Sequence, residues 1–133
     1  MTYLLDTNTC IQYLNGRSHR LIENLRSRTP DEIAVCSVVK AELYYGAQRS
    51  RNPREAIAGI EEFLTPYRSL PFDDQCAEAY GRIRARLAQL GLPIGPNDLL
   101  IAAIAVLHGA ILVTHNVREF SRVDGLVFQD WEA

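Results

Sequence analysis

Lysine is almost missing from this chain: Lys40 is the only one, and the other basic residues are arginines. Phosphotransfer receiver domains need a lysine late in the chain, so that class is disfavoured. Cysteine is scarce as well. Cys10, Cys36 and Cys76 are odd in number, widely spaced and set among apolar residues. That pattern fits reduced, buried thiols in a cytoplasmic protein better than a disulfide frame or a zinc site. His19 and His108 share no metal-binding spacing with any cysteine or histidine. No apolar run approaches the roughly 20 residues of a membrane span; the longest, LLIAAIAVLHGAILV, is broken by His108 and Gly109. No basic segment precedes the first apolar run, which argues against a secretory signal. An excess of positive charge is also lacking. At a net charge of -2, no global field draws the protein to nucleic acid. Arginine's planar fork does suit phosphate as well as carboxylate, but composition alone is explained equally by a solvated surface. There is no Walker loop, dinucleotide glycine fingerprint, nucleophile elbow or zinc-protease helix.

What is present is a chain of 133 residues, 47% of them hydrophobic and 23% charged. That suffices for one domain, residues 1–133, around one sizeable core. YLLD reads as a short buried strand. TCIQYLNG reads as a helix closed by Gly16, and SHRLIENLRSR as a second with Leu21, Ile22 and Leu25 inward. EIAVCS is a short apolar run and hence a strand, after which Ser37 is expected to cap the helix VVKAELYYGAQRS. Pro53 suits the start of the next helix, which runs to about Leu64. YRSLPF is a short strand. From Asp73, the positions Cys76, Tyr80, Ile83, Leu87 and Leu90 follow helical spacing until Gly91 ends the run. PNDLLIAAIAVLH is apolar nearly all round and so is a buried helix. AILVT and LVFQDW are the last strands. Strands alternating with helices predict an α/β fold with a largely parallel sheet covered on both faces. In such sheets ligands bind outside the carboxyl ends of the strands, where Asp6 and Asn116 fall.

Most acidic residues sit on solvated faces or at helix starts, but three do not. Asp6 ends a buried strand; an N-cap explains it, yet Thr7, Asn8 and Thr9 crowd the same turn and could cap instead. Glu42 has Val38, Val39, Tyr45 and Gly46 as its helical neighbours three and four away, so no intrahelical ion pair accounts for it. It is either a solvated edge residue or a functional one. Asp98 falls in the first turn of a helix, where the dipole favours a negative charge by roughly 0.3–1 kcal/mol, but that helix is buried. Carboxylates brought together repel, and desolvation raises the pKa of some. A hard cation such as Mg²⁺, which takes oxygen ligands, makes such a cluster tolerable.

LLDTN, AELYYGA, NDLLIAAIA and LVTHNVREFSRVDGLVFQDW, in that order and at those distances, resemble the PIN-domain ribonucleases, in particular the VapC toxins of toxin–antitoxin pairs. The resemblance covers nearly the whole chain. It implies a PIN-like three-layer α/β/α sandwich with a central, mainly parallel sheet. It implies catalytic acids at Asp6, Glu42 and Asp98, with Asp6 and Asp98 holding Mg²⁺, or Mn²⁺ in its place. The family often has a fourth acid after the last-but-one strand. Asn116 aligns with that place and Glu119 is the nearby acid, so both are candidates, with Thr114 at the strand end. Thr7 and Asn8 are candidates to orient the ligands. The implied reaction is hydrolysis of an RNA phosphodiester by metal-activated water, leaving a 3′-hydroxyl and a 5′-phosphate. The implied substrate is a specific RNA, with a transfer RNA as first guess. The implied partners are a second copy of the chain and a cognate antitoxin, through which the complex reaches operator DNA; no membrane is involved.

Other residues carry weaker signals. His115 adjoins the expected site but reads as a partly exposed loop histidine. Arg82 and Arg86 share a helix face, with Arg84 on another; these, Arg118 and Arg122 could meet RNA phosphates, although a solvated surface explains each singly. Tyr44, Tyr45 and Trp131 read as packing residues. A haloacid-dehalogenase-type phosphatase needs a second Asp where this chain has Asn8. A PIN-fold module that binds antitoxin or RNA without cutting is the alternative reading, resting on the missing fourth Asp.

Overall fold

The computed structural model describes residues 1–133. β1 (Tyr3–Leu5) is followed by α1 (Thr7–Leu14) and α2 (His19–Arg26), and β2 (Ile33–Cys36) by α3 (Ser37–Gln48) and α4 (Pro53–Leu64). β3 (Arg68–Leu70) leads into α5 (Asp74–Leu90) and α6 (Pro96–His108), and β4 (Ile111–Val113) is joined by the single turn α7 (Val117–Phe120) to β5 (Val127–Gln129). The five strands form one parallel sheet in the order β3-β2-β1-β4-β5. Parallel neighbours need crossovers, and the helices that make them cover the sheet, giving the expected α/β/α layering.

The central strands are apolar at every position because both of their faces are covered. Tyr3, Leu4 and Leu5 in β1, Ile33 to Cys36 in β2 and Ile111 to Val113 in β4 are all buried, whereas the edge strands β3 and β5 are largely exposed. α6 packs Leu99 and the run Ile101 to Ala105 into the core; its alanines let it lie close to α5 and the sheet. Gly91 and Gly109 end α5 and α6 in the left-handed region at φ 66° and 61°, which a side chain would disfavour. All three thiols are free and buried, and burial pushes the Cys10 and Cys36 thiols above their usual range.

Several local expectations need correction. Ser37 does not cap α3. Cys36 holds the cap position, and the Ser37 hydroxyl accepts from the Phe72 N–H at 3.2 Å, tying β3's exit to α3. Ile22 is only half-buried, because α2 turns Leu21 and Leu25 inward. Leu90 is exposed, and Ala79 takes a core place on α5 instead. Tyr44 and Tyr45 stand on the surface, while Trp131 is buried against Tyr3 with ring centroids 5.2 Å apart. α7, which no periodicity in the chain predicts, is anchored by its fully buried Phe120. No helix is long and apolar enough to cross a membrane.

Candidate active site

The strand order fixes where a site must lie. From β1 the chain moves out through β2 to β3, then returns to the other side of β1 for β4 and β5. The order therefore reverses between β1 and β4, and in open parallel sheets ligands bind outside the carboxyl ends of the strands at that point. Asp6 follows β1 and Thr114 follows β4. The Asp6 N–H donates to the Val113 carbonyl at 3.1 Å and the Thr9 hydroxyl donates to the same carbonyl at 3.2 Å, closing the two strand ends together.

Asp6 is the N-cap of α1, so Thr7, Asn8 and Thr9 do not take that place. Its Oδ1 accepts from the Thr9 N–H at 2.8 Å. The cap uses one oxygen of the carboxylate. Asp6 is only 3% exposed, and burial raises its pKa above the ordinary carboxylate range. The hydroxyls of Thr114 and Thr9 oppose that rise, and the Glu42 charge adds to it.

Glu42 projects from the middle of α3 and is gripped from two other helices. The Thr7 hydroxyl of α1 donates to one of its oxygens and the Asn97 amide of α6 donates to the other at 3.2 Å. It is therefore held in place and is no solvated edge residue. Asp98 lies in the first turn of α6, with its Oδ2 beside Gly95 at ordinary contact range. Its pKa is pushed up to about 6, first by burial and then by the charges of Asp6, Glu119 and Glu42. Glu119, on α7, accepts from the Asn116 amide at 2.6 Å.

Four acids from α1, α3, α6 and α7 thus share one electrostatic neighbourhood, and none is paired with an arginine or lysine. Glu119 is the fourth acid of this neighbourhood. Asn116 has its backbone N–H held by Thr114 Oγ1 at 3.0 Å, and its amide donates to Glu119. Asn8 is exposed and its side chain bonds to nothing, so Thr7 alone of that pair orients an acid. Asn97 was missed by sequence reasoning. Its position beside Asp98 was the one available signal, but which way it faces depends on α3 lying across α6.

A trio at the rim is packed more tightly than the acids. His115, Asp130 and Glu132 each bring a ligand atom within 4.8 Å of the others. His115 Nδ1 and Asp130 Oδ2 lie 3.0 Å apart, and the Glu132 N–H donates to Asp130 Oδ1 at 2.9 Å. The hydrogen bond to Asp130 raises the His115 pKa. His115 is exposed, as expected.

The model for the PIN domain matches residues 3–126. The chain belongs to the PIN-domain family. It is similar over 133 residues, at 38% identity and with 99% of each chain covered, to ribonuclease VapC2 of Rickettsia felis. It is similar at 37% identity, with 98% of each chain covered, to the tRNA(fMet)-specific endonuclease VapC of Salmonella typhimurium. The crystal structure of DNA-bound VapBC from that organism superposes with a TM-score of 0.93 at 37% identity, covering 98% of each chain. The PIN domain match begins on β1 and ends after α7, so all four acids lie within it.

Whether the PIN-domain site suits a cation is decided by its donors. They are all oxygen, they include the buried carboxylate of Asp6, and no basic side chain neutralises them. That is the donor set of a hard divalent ion and not of zinc.

Proposed function

We propose that this PIN-domain protein is a divalent-metal-dependent endoribonuclease, the toxin of a toxin–antitoxin pair, acting on a specific RNA. The observation that carries the reading is the convergence of Asp6, Glu42, Asp98 and Glu119 at the β1/β4 reversal with no basic partner. The names of its relatives support the same reaction class. Mg²⁺ is the expected ion, with Mn²⁺ as substitute, and Asp6 and Asp98 would hold it. When bound, such an ion makes hydroxide available near neutral pH and offsets charge on the phosphate.

The chain's own residues supply the positioning. Thr9 fixes Asp6, Thr7 and Asn97 fix Glu42, and Asn116 fixes Glu119. Asp98 accepts no hydrogen bond from the protein and is free to turn toward a ligand. Held carboxylates act without reorganisation cost during the reaction. In the hydrolysis, a water oxygen bonds to phosphorus, the bond to the 3′-oxygen breaks, and the proton leaves through one of the carboxylates. A transfer RNA is the first substrate to try, as for the Salmonella relative. The case for a non-cutting module rests on a missing fourth Asp; the electrostatic coupling of Glu119 to Asp98 supports the cutting reading instead.

A groove between α1, α3 and α4 fits the antitoxin. Ile11, Leu14, Leu43 and Ile60 line it, and Glu42 stands on its wall. Ile11 and Leu14 are both 39% exposed. An amphipathic segment burying its apolar face there would end beside the acids and block them. The same reading includes a homodimer, and operator DNA reached through the antitoxin. The test is cleavage of total transfer RNA by purified protein in Mg²⁺, with EDTA and Asp6→Asn as controls and 5′ ends sequenced. Cutting that survives both controls would end the assignment.

A further inference from the structure

Away from the acids, α5 and the connection from α7 to β5 enclose a notch of about 160 Å³. Arg82 and Arg86, one helical turn apart, form one wall, Arg122 and Asp124 the other, and Leu87 and Val123 lie between. We propose that this notch is a phosphate subsite for RNA, with Arg82, Arg86 and Arg122 as its ligands. The proposal rests on the ribonuclease reading for its substrate and on the notch alone for its geometry.

Charge is the first argument. Arg82 pairs with Glu78 at 2.9 Å and Arg86 with Asp124 at 3.5 Å, all on side chains more than half exposed. Exposed pairs of this kind are weak, so a phosphate displaces the acids at little cost. Arg122 differs. It is half-buried, its guanidinium donates to the Pro93 carbonyl at 2.7 Å, and no acid pairs with it. A neutral acceptor holds the fork in place and leaves its charge intact. Three arginines against Glu78 and Asp124 leave one positive charge, on a chain whose net charge is -2. Arginine's fork, already oriented, suits a phosphate's paired oxygens. The notch has room for one such group.

Place is the second argument. The Arg122 N–H donates to the Glu119 carbonyl at 3.1 Å, and Pro93 stands just before Gly95, the cap residue of α6. Arg122 therefore clamps together the two segments that carry Glu119 and Asp98. A phosphate seated here lies along the strand from the one being cut. It binds equally in ground and transition states, and so sets KM and not kcat.

The test uses Arg86→Gln, Arg122→Gln and Arg122→Lys. Binding of a short labelled single-stranded RNA is measured in Mg²⁺ on an Asp98→Asn background, which keeps the RNA whole. A duplex DNA of the same sequence is the comparison, and cleavage is measured without the Asp98 change. Each Gln variant is expected to weaken RNA binding about tenfold, as loss of a charged hydrogen bond does. The slope of log affinity against log salt should flatten by about 0.7, and in Arg86→Gln KM should rise at unchanged kcat. Arg122→Lys keeps the slope. Unchanged affinity and slope in both Gln variants overturn the notch, while wild-type cleavage would leave the nuclease reading standing. Equal losses on duplex DNA also overturn it as an RNA site. RNA binding that depends on the notch in a wild type that cuts nothing supports the notch and ends the nuclease reading.

Discussion

At the start of β1, Tyr3 lies under the Arg28 guanidinium, 4.7 Å from its ring centroid, with Trp131 sharing the same cation at 4.3 Å. Arg28 also donates to the Asn24 carbonyl, and Asn24 donates to the Trp131 carbonyl. At the end of the same strand, three residues on, Asp6 is buried beside other acids with no cation near it. The first arrangement is complete in itself: charge, rings and amide all have partners. The second is complete only with something added. A fold keeps uncompensated buried carboxylates at a cost in stability, so the contrast marks which end of β1 is for holding the molecule together and which is for chemistry.

The most severe way to break the contrast is to neutralise the acids. Asp6→Asn and Asp98→Asn are expected to reduce RNA cleavage by more than about 100-fold, with far-ultraviolet circular dichroism unchanged. The residues that hold the acids should matter less. Asn97→Ala and Asn116→Ala are expected to cost about 10–100-fold in cleavage or Mg²⁺ affinity, the usual effect of removing a ligand's orienting partner. A loss as large as that of Asp6→Asn would promote either residue to a direct role.

Stability sharpens the contrast next. Mg²⁺ at about 100 times its dissociation constant should stabilise the protein at neutral pH by about 2.7 kcal/mol, read as a rise in Tm of several degrees and absent in Asp98→Asn. Without metal, pH acts through the raised carboxyls. The Asp98 pKa goes from an ordinary 3.8 to about 6 in the fold. Between those values the unfolded chain has released its proton and the folded one has not, so metal-free stability falls as pH rises through that window and is level above it. Asp98→Asn should flatten this slope. A metal-free Tm that climbs from pH 4 to pH 6 would contradict the sign. The smallest effect belongs to the other end of β1. Arg28→Ala should cost about 1 kcal/mol in stability and leave RNA cleavage unaltered.

Much of this was legible in the chain. Short apolar runs and helical periodicities located every strand and the main helices, since each depends on residues close together. Asp6 and Asp98 stood out because each is fused to a buried segment. What could not be read locally was direction. Glu42 looked as much like a solvated edge as a site residue until Thr7 and Asn97 were seen on either side of it. Asn116 and Glu119 stayed alternatives for one place because α7, one turn long, carries almost no periodic signal, and Phe120 anchors it only through tertiary burial.

The sequence by itself determined the strands and main helices, a largely parallel sheet and the supply of acids, because hydrophobic spacing acts over a few residues. The tertiary structure alone decided that Asp6, Glu42, Asp98 and Glu119 lie within electrostatic reach of one another and that their partners include Thr7, Thr9, Asn97 and Asn116. The physical reason is the reversal of strand order at β1 and β4, which brings together residues far apart along the chain and acts only once the sheet has formed.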